Sequence, residues 1–410
     1  MTNSETKNFS QNVSSSYHLG GECSDEYKKD SLNVPKLRFE GYNEEWVEKR
    51  IEKVLKIKHG KDKKAIETQD GRYPILATSG EIGRSNTFLW NKPCVLIGRK
   101  GTINKPQYMD IPFWTVDTLF YSDVFQENNA KYLYYLFNTI NWEKYDESTG
   151  VPSLSAKTIE RIKIKISNNA QEQEKIASFL TLIDKKIEKQ KELVELLKKY
   201  KRGLLSQIFS QKLRFKDENG NNYPDWEEKR LGDICTIIGG GTPDTNNDKY
   251  WGDDINWFTP TEIIKKYVDC SNRKISNLGL LKSSAKILPI GTVLLTTRAT
   301  LGEMSILQIE ATTNQGFQSL IPNKNLVTSE FIYYCQPIIK YYCYKYANGS
   351  TFLEISKQSL AKLKLKIPYL NEQNKISEYL SKFDNKIQQE ESRLNYLQMY
   401  KKGLLQQMFI

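Results

Sequence analysis

Glu172-Gln173-Glu174-Lys175-Ile176 and Glu372-Gln373-Asn374-Lys375-Ile376 stand 200 residues apart, and the match runs on without a gap for about forty residues. The same spacing aligns Leu180 with Leu380, Asp184 with Asp384 and Lys186-Ile187 with Lys386-Ile387. It closes on Gly203-Leu204-Leu205 and Gly403-Leu404-Leu405. A repeat of this length means two copies of one structural unit. Within each copy the seam positions step four, three, four, three. They are Ile176, Leu180, Ile183, Ile187, Gln190, Val194, Leu197, Lys201, Leu204 and Ile208, then Ile376, Leu380, Phe383, Ile387, Glu390, Leu394, Leu397, Lys401, Leu404 and Met408. A heptad seam this long predicts a helix that packs against another helix. Asn169 suits an N-cap for the first, and Pro368 with Asn371 marks the start of the second. Each helix is about 37 residues, or roughly 55 Å at 1.5 Å per residue. The pair most simply runs antiparallel, with Gln190, Lys201, Glu390 and Lys401 fixing its register. Two separate amphipathic helices, each packed on its own domain, are the alternative.

Outward from the helices the copies match more loosely. Tyr134-Tyr135 corresponds to Tyr333-Tyr334, Arg99 to Arg298 and Gly150 to Gly349 at a spacing of 199, and Leu37-Arg38-Phe39 to Leu213-Arg214-Phe215 and Trp46 to Trp226 nearer the start. The expected organisation is a mobile tail over residues 1–34, a domain over 35–168, a helix over 169–211, a second domain over 212–368 and a second helix over 369–410. The first middle runs through short β-like segments at Val95-Leu96-Ile97, Trp114 to Tyr121 and Ile162 to Ile166, with a helix at Lys131 to Ile140. The second repeats the plan with strands at Gly291 to Thr297 and Leu363 to Ile367 and a helix near Phe331 to Ile339. Each middle is therefore an α+β domain. If the helices pair antiparallel, the two domains are related by a pseudo-twofold axis, an arrangement suited to a duplex with two recognition sites.

The chain of 410 residues carries 60 Lys and Arg against 49 Asp and Glu, a net charge of +11 that favours an anionic partner. No apolar run approaches the 18 or so residues of a transmembrane helix, and the start has no secretory layout, so a cytoplasmic location is expected. Two histidines, His18 and His59, leave no His-rich metal site. The six cysteines (Cys23, Cys94, Cys235, Cys270, Cys335 and Cys343) form no Cys-x-x-Cys pair and read as buried or incidental.

Candidate contacts follow from the strand ends. Arg99-Lys100 and Arg298 each follow an apolar strand and precede a Gly- or Thr-bearing loop, Gly101-Thr102 in one copy and Thr300-Leu301-Gly302 in the other. With Thr297 beside it, an arginine there can reach a guanine edge, anchor a phosphate or close a structural ion pair. The loops Thr78-Ser79 to Arg84 and Thr242 to Trp257, with Lys249 and Tyr250, differ between the copies and so suit different targets. Lys163, Lys165, Lys364 and Lys366 are read as solvated strand faces. The tyrosines Tyr132, Tyr134, Tyr135, Tyr341, Tyr342, Tyr344 and Tyr346 could stack on bases, but core packing explains them more simply.

Catalytic equipment is missing. No phosphate-binding P-loop occurs, and Gly239-Gly240-Gly241 runs into Thr-Pro rather than a helix. Pro224-Asp225 with Glu227-Glu228-Lys229 crowds together carboxylates that a metal nuclease places on separate strands. No catalytic and no metal-binding residue is assigned.

At this point the chain resembles the specificity subunit of type I restriction-modification systems. The resemblance rests on Leu37-Arg38-Phe39 … Trp46, Ile97-Gly98-Arg99-Lys100-Gly101-Thr102-Ile103, Phe113-Trp114 … Asp117-Thr118-Leu119-Phe120, Gly240-Gly241-Thr242-Pro243 … Trp257 and the twice-used Gly-Leu-Leu-x-Gln-x-Phe. It covers nearly everything after residue 35. It implies two target-recognition domains, each reading half of an asymmetric bipartite DNA site, with the paired helices as a ruler for the unread spacer. It also implies two methyltransferase subunits and motor-nuclease subunits as partners. Adenine methylation and ATP-driven cleavage would belong to them, with S-adenosylmethionine, ATP and Mg²⁺ bound there and no cofactor in this chain. The long tail before Val34 departs from the pattern. A stand-alone nuclease and a coiled-coil protein scaffold are the competing functions.

Overall fold

The Asn169 side chain accepts the backbone N–H groups of Gln171 (3.0 Å) and Glu172 (3.1 Å), and this cap starts the first long helix, Ala170–Phe209, of the computed structural model. The second long helix, Leu370–Met408, starts differently. The Tyr369 carbonyl accepts the Gln373 N–H, so the helix begins between Pro368 and Asn371, the two residues that mark its start. The helices have 40 and 39 residues, slightly longer than the heptad reading. The structure describes residues 33–298, 300–347 and 354–410. The segment read as a mobile tail, with His18 and Cys23, lies outside the described residues except for Asn33 and Val34, as does Gly349.

The chain divides into two units. One comprises the chain up to Ile183 with Met399–Ile410, and the other comprises Asp184–Gln398. In the second unit the helices run antiparallel: Gln190 meets Glu390, Lys198 meets Glu391 at 2.8 Å, and Lys201 pairs with Asp384. The hydrophobic core of that unit takes Leu204 and Ile208 from the end of the first helix and Ile376 and Leu380 from the start of the second. The first unit has the reciprocal set, Ile176 and Leu180 with Leu404, Met408 and Phe409. The antiparallel pairing thus holds and the separate-helix alternative does not. Ile183, Ile187, Leu197 and Phe383 are partly covered, whereas Ile387 and Leu397 are buried, as the heptad spacing requires.

The repeated Glu-Gln pair is an anchor. Arg38 grips Glu172 with two hydrogen bonds, Nε to Oε1 at 2.6 Å and Nη2 to Oε2 at 2.9 Å. Arg214 grips Glu372 the same way at 2.8 and 3.0 Å, and the Trp226 indole N–H adds a third bond at 3.2 Å. Both glutamates are fully buried, so the fork geometry must satisfy their charge. Gln173 and Gln373 complete the lock. The Gln173 amide donates to the Ser167 carbonyl and its oxygen accepts from Asn129 N–H, while Gln373 does the same with Pro368 and Thr328.

In each unit two sheets and a strand pair sit on this anchor. In the first, an antiparallel sheet runs Leu55–Lys58, Leu119–Val124, Cys94–Gly98, Gln107–Met109. A second sheet runs Glu67–Thr68, Gly80–Ser85, Tyr73–Ala77, Trp114–Thr115. In the second unit a five-stranded sheet runs Cys235–Gly239, Gln318–Pro322, Val293–Leu295, Met304–Leu307, Tyr267–Val268, beside Arg273–Ile275, Trp251–Phe258, Thr312–Thr313. The strand expected at Trp114 to Tyr121 is therefore two strands broken at residues 116–118. The helix expected near Phe331 is likewise split at Cys335 into Ser329–Tyr334 and Gln336–Tyr346, because Pro337 opens the second piece.

Val47–Arg50 pairs with Lys163–Ile166, and Glu227–Arg230 with Lys364–Ile367. Lys163 bonds Glu48 and Lys364 bonds Glu228 at 2.7 Å, across the solvated faces that the alternation predicts. These bonds hold both carboxyls below their ordinary range. Glu228 is thus spent on a lysine while Asp225 points into solvent. Among the described residues no three His, Cys, Asp or Glu side chains are placed to hold a metal ion. Cys94, Cys235, Cys335 and Cys343 are buried and Cys270 is exposed; burial pushes the Cys94 thiol up to about 12. No helix among the described residues is long and apolar enough to cross a membrane.

Candidate nucleic-acid interface

In the second unit four loops converge beside the five-stranded sheet. The first leaves the strand Cys235–Gly239 through Gly240, where a Cβ would lie 2.0 Å from the Asn314 carbonyl oxygen, so only glycine permits the approach. The Gly241 N–H then donates to the Thr313 carbonyl (2.8 Å). The Thr297 N–H and hydroxyl both donate to Gly316 O, at 2.7 and 3.2 Å. The Thr300 hydroxyl reaches Pro260 O at 3.4 Å. Across the cluster the Thr242 hydroxyl donates to the Gln315 side-chain oxygen. Arg298 pairs with Glu354 at 2.7 Å and remains 44% exposed. Thr242, Arg298, Thr300 and Gln315 therefore share one rim.

The first unit builds the same frame from other residues. Gly60 stands where a Cβ would lie 2.1 Å from Val116 O, Lys61 N–H donates to Thr115 O (2.8 Å), and Arg99 N–H donates to Thr118 O (2.8 Å). Arg99 pairs through its guanidinium with Asp117. The Thr78 hydroxyl lies 3.8 Å from where Gly101 would carry a Cβ, so Thr78, Arg99, Lys100, Gly101 and Thr102 belong to one neighbourhood.

These backbone bonds correct the alignment of the two arginines. Val116 N–H donates to Leu76 O, and Asn314 N–H to Phe258 O. Gly98 pairs with Leu119, and Thr296 with Phe317. Val116 and Asn314, Gly98 and Thr296, and Leu119 and Phe317 each lie 198 residues apart, which puts the Thr297 N–H at the station of the Arg99 N–H. The capping residues Asn129 and Thr328, in contrast, differ by 199. One residue is therefore gained between the strand Gln318–Pro322 and the helix Ser329–Tyr334 relative to the first unit. Tyr135 and Tyr334 lie beyond that gain and keep the spacing of 199.

Two other candidates are withdrawn from the surface. Trp257 is 4% exposed, and its indole N–H donates to Gly241 O (2.9 Å), so it supports the loop from beneath. Thr297 is fully buried and its hydroxyl is committed to Gly316. Lys249 and Tyr250 occupy a separate neighbourhood, where their carbonyls accept from the hydroxyl and N–H of Ser276. Ser79 turns the hairpin between Tyr73–Ala77 and Gly80–Ser85, and Arg84 on its return strand pairs with Glu81 at 2.9 Å.

The tyrosines divide. Tyr132 and Tyr135 are fully buried, whereas Tyr341, Tyr344 and Tyr346 are exposed. Tyr334 is buried in a polar network that joins its domain to the helices. Lys266 Nζ donates to Tyr334 Oη and Ser381 Oγ, both at 2.8 Å, and Tyr334 Oη donates to Asp384 at 2.6 Å. Burial pushes the Tyr334 hydroxyl up and the Lys266 ammonium down. Sequence reasoning missed Lys266, and it missed Asp117 and Gln315, because nothing in the strand-like run 114–121 announces the break that exposes residue 117.

The family model for the type I restriction modification DNA specificity domain matches residues 43–198 and again 223–399. The MjaIX type I restriction enzyme specificity subunit of Methanocaldococcus jannaschii is 35% identical over 208 residues, 49% of this chain and 48% of that protein. The EcoR124I/EcoR124II specificity subunit of Escherichia coli is 27% identical over 273 residues, 62% of this chain and 63% of that one. The matches thus span about half to under two thirds of these relatives. The crystal structure of the type I restriction-modification S subunit from M. genitalium has the same fold, with a TM-score of 0.60 at 18% identity over 92% of this chain and 99% of that one.

Proposed function

The chain belongs to the type I restriction-modification DNA specificity family, and from that premise we propose that it is the DNA-reading subunit of such a complex. Each recognition domain reads one half of an asymmetric bipartite duplex site, and the paired helices set the unread spacer. Adenine methylation and ATP-dependent cleavage are carried out in the cytoplasm by methyltransferase and motor-nuclease partners, which bind S-adenosylmethionine, ATP and Mg²⁺. The chain itself supplies no catalytic group.

The observation that carries this reading is a matched frame with unmatched rims. Gly60 and Gly240 hold the same close approach, while the exposed residues around them differ in kind. Arg99, Lys100 and Thr102 with Thr78, Ser79 and Arg84 face one half-site. Thr242, Arg298 and Thr300 face the other, with Lys249 and Tyr250 in a separate neighbourhood of the same domain. Arginines meet base edges and the surrounding lysines neutralise phosphates.

Fluorescence anisotropy of the full chain on duplex DNA tests the reading. Affinity should fall steeply between about 50 and 200 mM salt, because each phosphate contact releases counterions. No duplex affinity at either salt would favour a protein scaffold, and cleavage with Mg²⁺ alone would favour a nuclease.

A further inference from the structure

We propose that one station of the shared frame, Asp117 in the first unit and Gln315 in the second, is a specificity-determining base contact, an inference that rests on the DNA-reading function above. The backbone brackets this station on both sides. The residue before it donates its N–H to a neighbouring strand end, Val116 to Leu76 O at 3.0 Å and Asn314 to Phe258 O at 3.1 Å. The residue after it offers its carbonyl, Thr118 to Arg99 N–H and Gly316 to Thr297 N–H. The main chain is fixed, yet the side chain between is turned outward: that of Asp117 is 67% exposed, and Gln315 is exposed as well.

Each side chain is also oriented by a neighbour from another loop. Arg99 holds one carboxylate oxygen of Asp117, and the Thr242 hydroxyl holds the amide oxygen of Gln315. An ion pair cannot be the common purpose, since Gln315 carries no charge. What the two copies share is a polar group held rigidly at an exposed rim, which is the condition for a contact that discriminates. What differs is its chemistry. The Gln315 amide keeps a free lone pair and two N–H donors, the complement of the adenine N7 and N6 amino edge. The Asp117 carboxylate beside the Arg99 donors complements a G·C pair, with the guanidinium toward guanine O6 and N7 and the free carboxylate oxygen toward the cytosine amino group.

Mapping methylated adenines in DNA from cells that carry the full chain with its partner subunits tests the proposal. With Gln315→Ala, preference at one A·T position of one half-site should fall about tenfold or more, with the other half-site intact. With Asp117→Asn, a G·C position of the other half-site should relax instead. The untouched half-site reports that each variant is folded. An unchanged motif in both variants, or equal loss at both half-sites, would overturn the proposal. If the unsubstituted chain yields no bipartite motif, the functional reading fails, and that result is seen before any substitution is made.

Discussion

Gln190 and Glu390, 200 positions apart in the chain, are joined side chain to side chain: the Gln190 amide donates to the Glu390 carboxylate at 2.7 Å and to the Glu390 carbonyl at 3.0 Å. The contact equates the same heptad position of the two copies and fixes their register, the best-attested use of a polar pair in a helical seam. Gln190→Ala should cost about 1–3 kcal/mol, since it strips a buried acceptor of its donor. Chemical denaturation of the full chain measures it.

The same pair makes stability depend on pH. Hydrogen bonds from Lys386 and Gln190 hold the Glu390 carboxyl below its ordinary 4.5, with Arg393 adding its charge. A carboxyl depressed in the folded state contributes stability above its unfolded pKa and loses it as pH falls through the folded value. The melting temperature of Glu390→Gln should therefore start lower near neutral pH and fall less than that of the parent between about pH 5 and about pH 3. Parallel curves would contradict this.

The anchors should be far less tolerant than surface pairs. Glu172→Ala strands Arg38, and Glu372→Ala strands Arg214; each should cost about 3–5 kcal/mol, as removing one partner of a buried ion pair does. Lys163→Ala, which removes an exposed pair with Glu48, should lower stability far less than either. Thermal unfolding of the three variants makes the comparison.

Gly203 sits inside a continuous helix where a Cβ would meet nothing within 4 Å. Gly203→Ala should stabilise the chain by about 0.5–1 kcal/mol, the ordinary helix-propensity difference. A loss of stability would reveal a close approach that the packing does not show.

Arg298 is held by Glu354 with much of its guanidinium exposed. Arg298→Ala should weaken duplex binding by about 1–3 kcal/mol and blur one half-site only. Unchanged affinity and an unchanged methylation pattern would remove Arg298 from the interface.

The helices, their antiparallel pairing and the duplication were legible because a heptad seam and an ungapped repeat are periodic signals. Ile176, Leu204, Ile376 and Leu404 lie where that period puts them. The site was less legible. Arg99 and Arg298 share a spacing with Tyr135 and Tyr334, and that coincidence hid a one-residue gain visible only in the backbone bonds of Thr118 and Gly316. Trp257 and Thr297 read as presented groups because burial at a strand end depends on which loop folds over it. Glu172 and Glu372 were found as repeated letters, but their buried grip on Arg38 and Arg214 joins residues more than 130 positions apart, beyond any local pattern.

The most direct test of a two-domain reader is the methylated-adenine map of a cell expressing the unsubstituted chain with its partner subunits, compared with the same cell lacking the chain. The account requires a motif that appears only with the chain and consists of two unlike half-sites separated by a fixed run of unread bases. A single continuous motif, or an identical map without the chain, would contradict it.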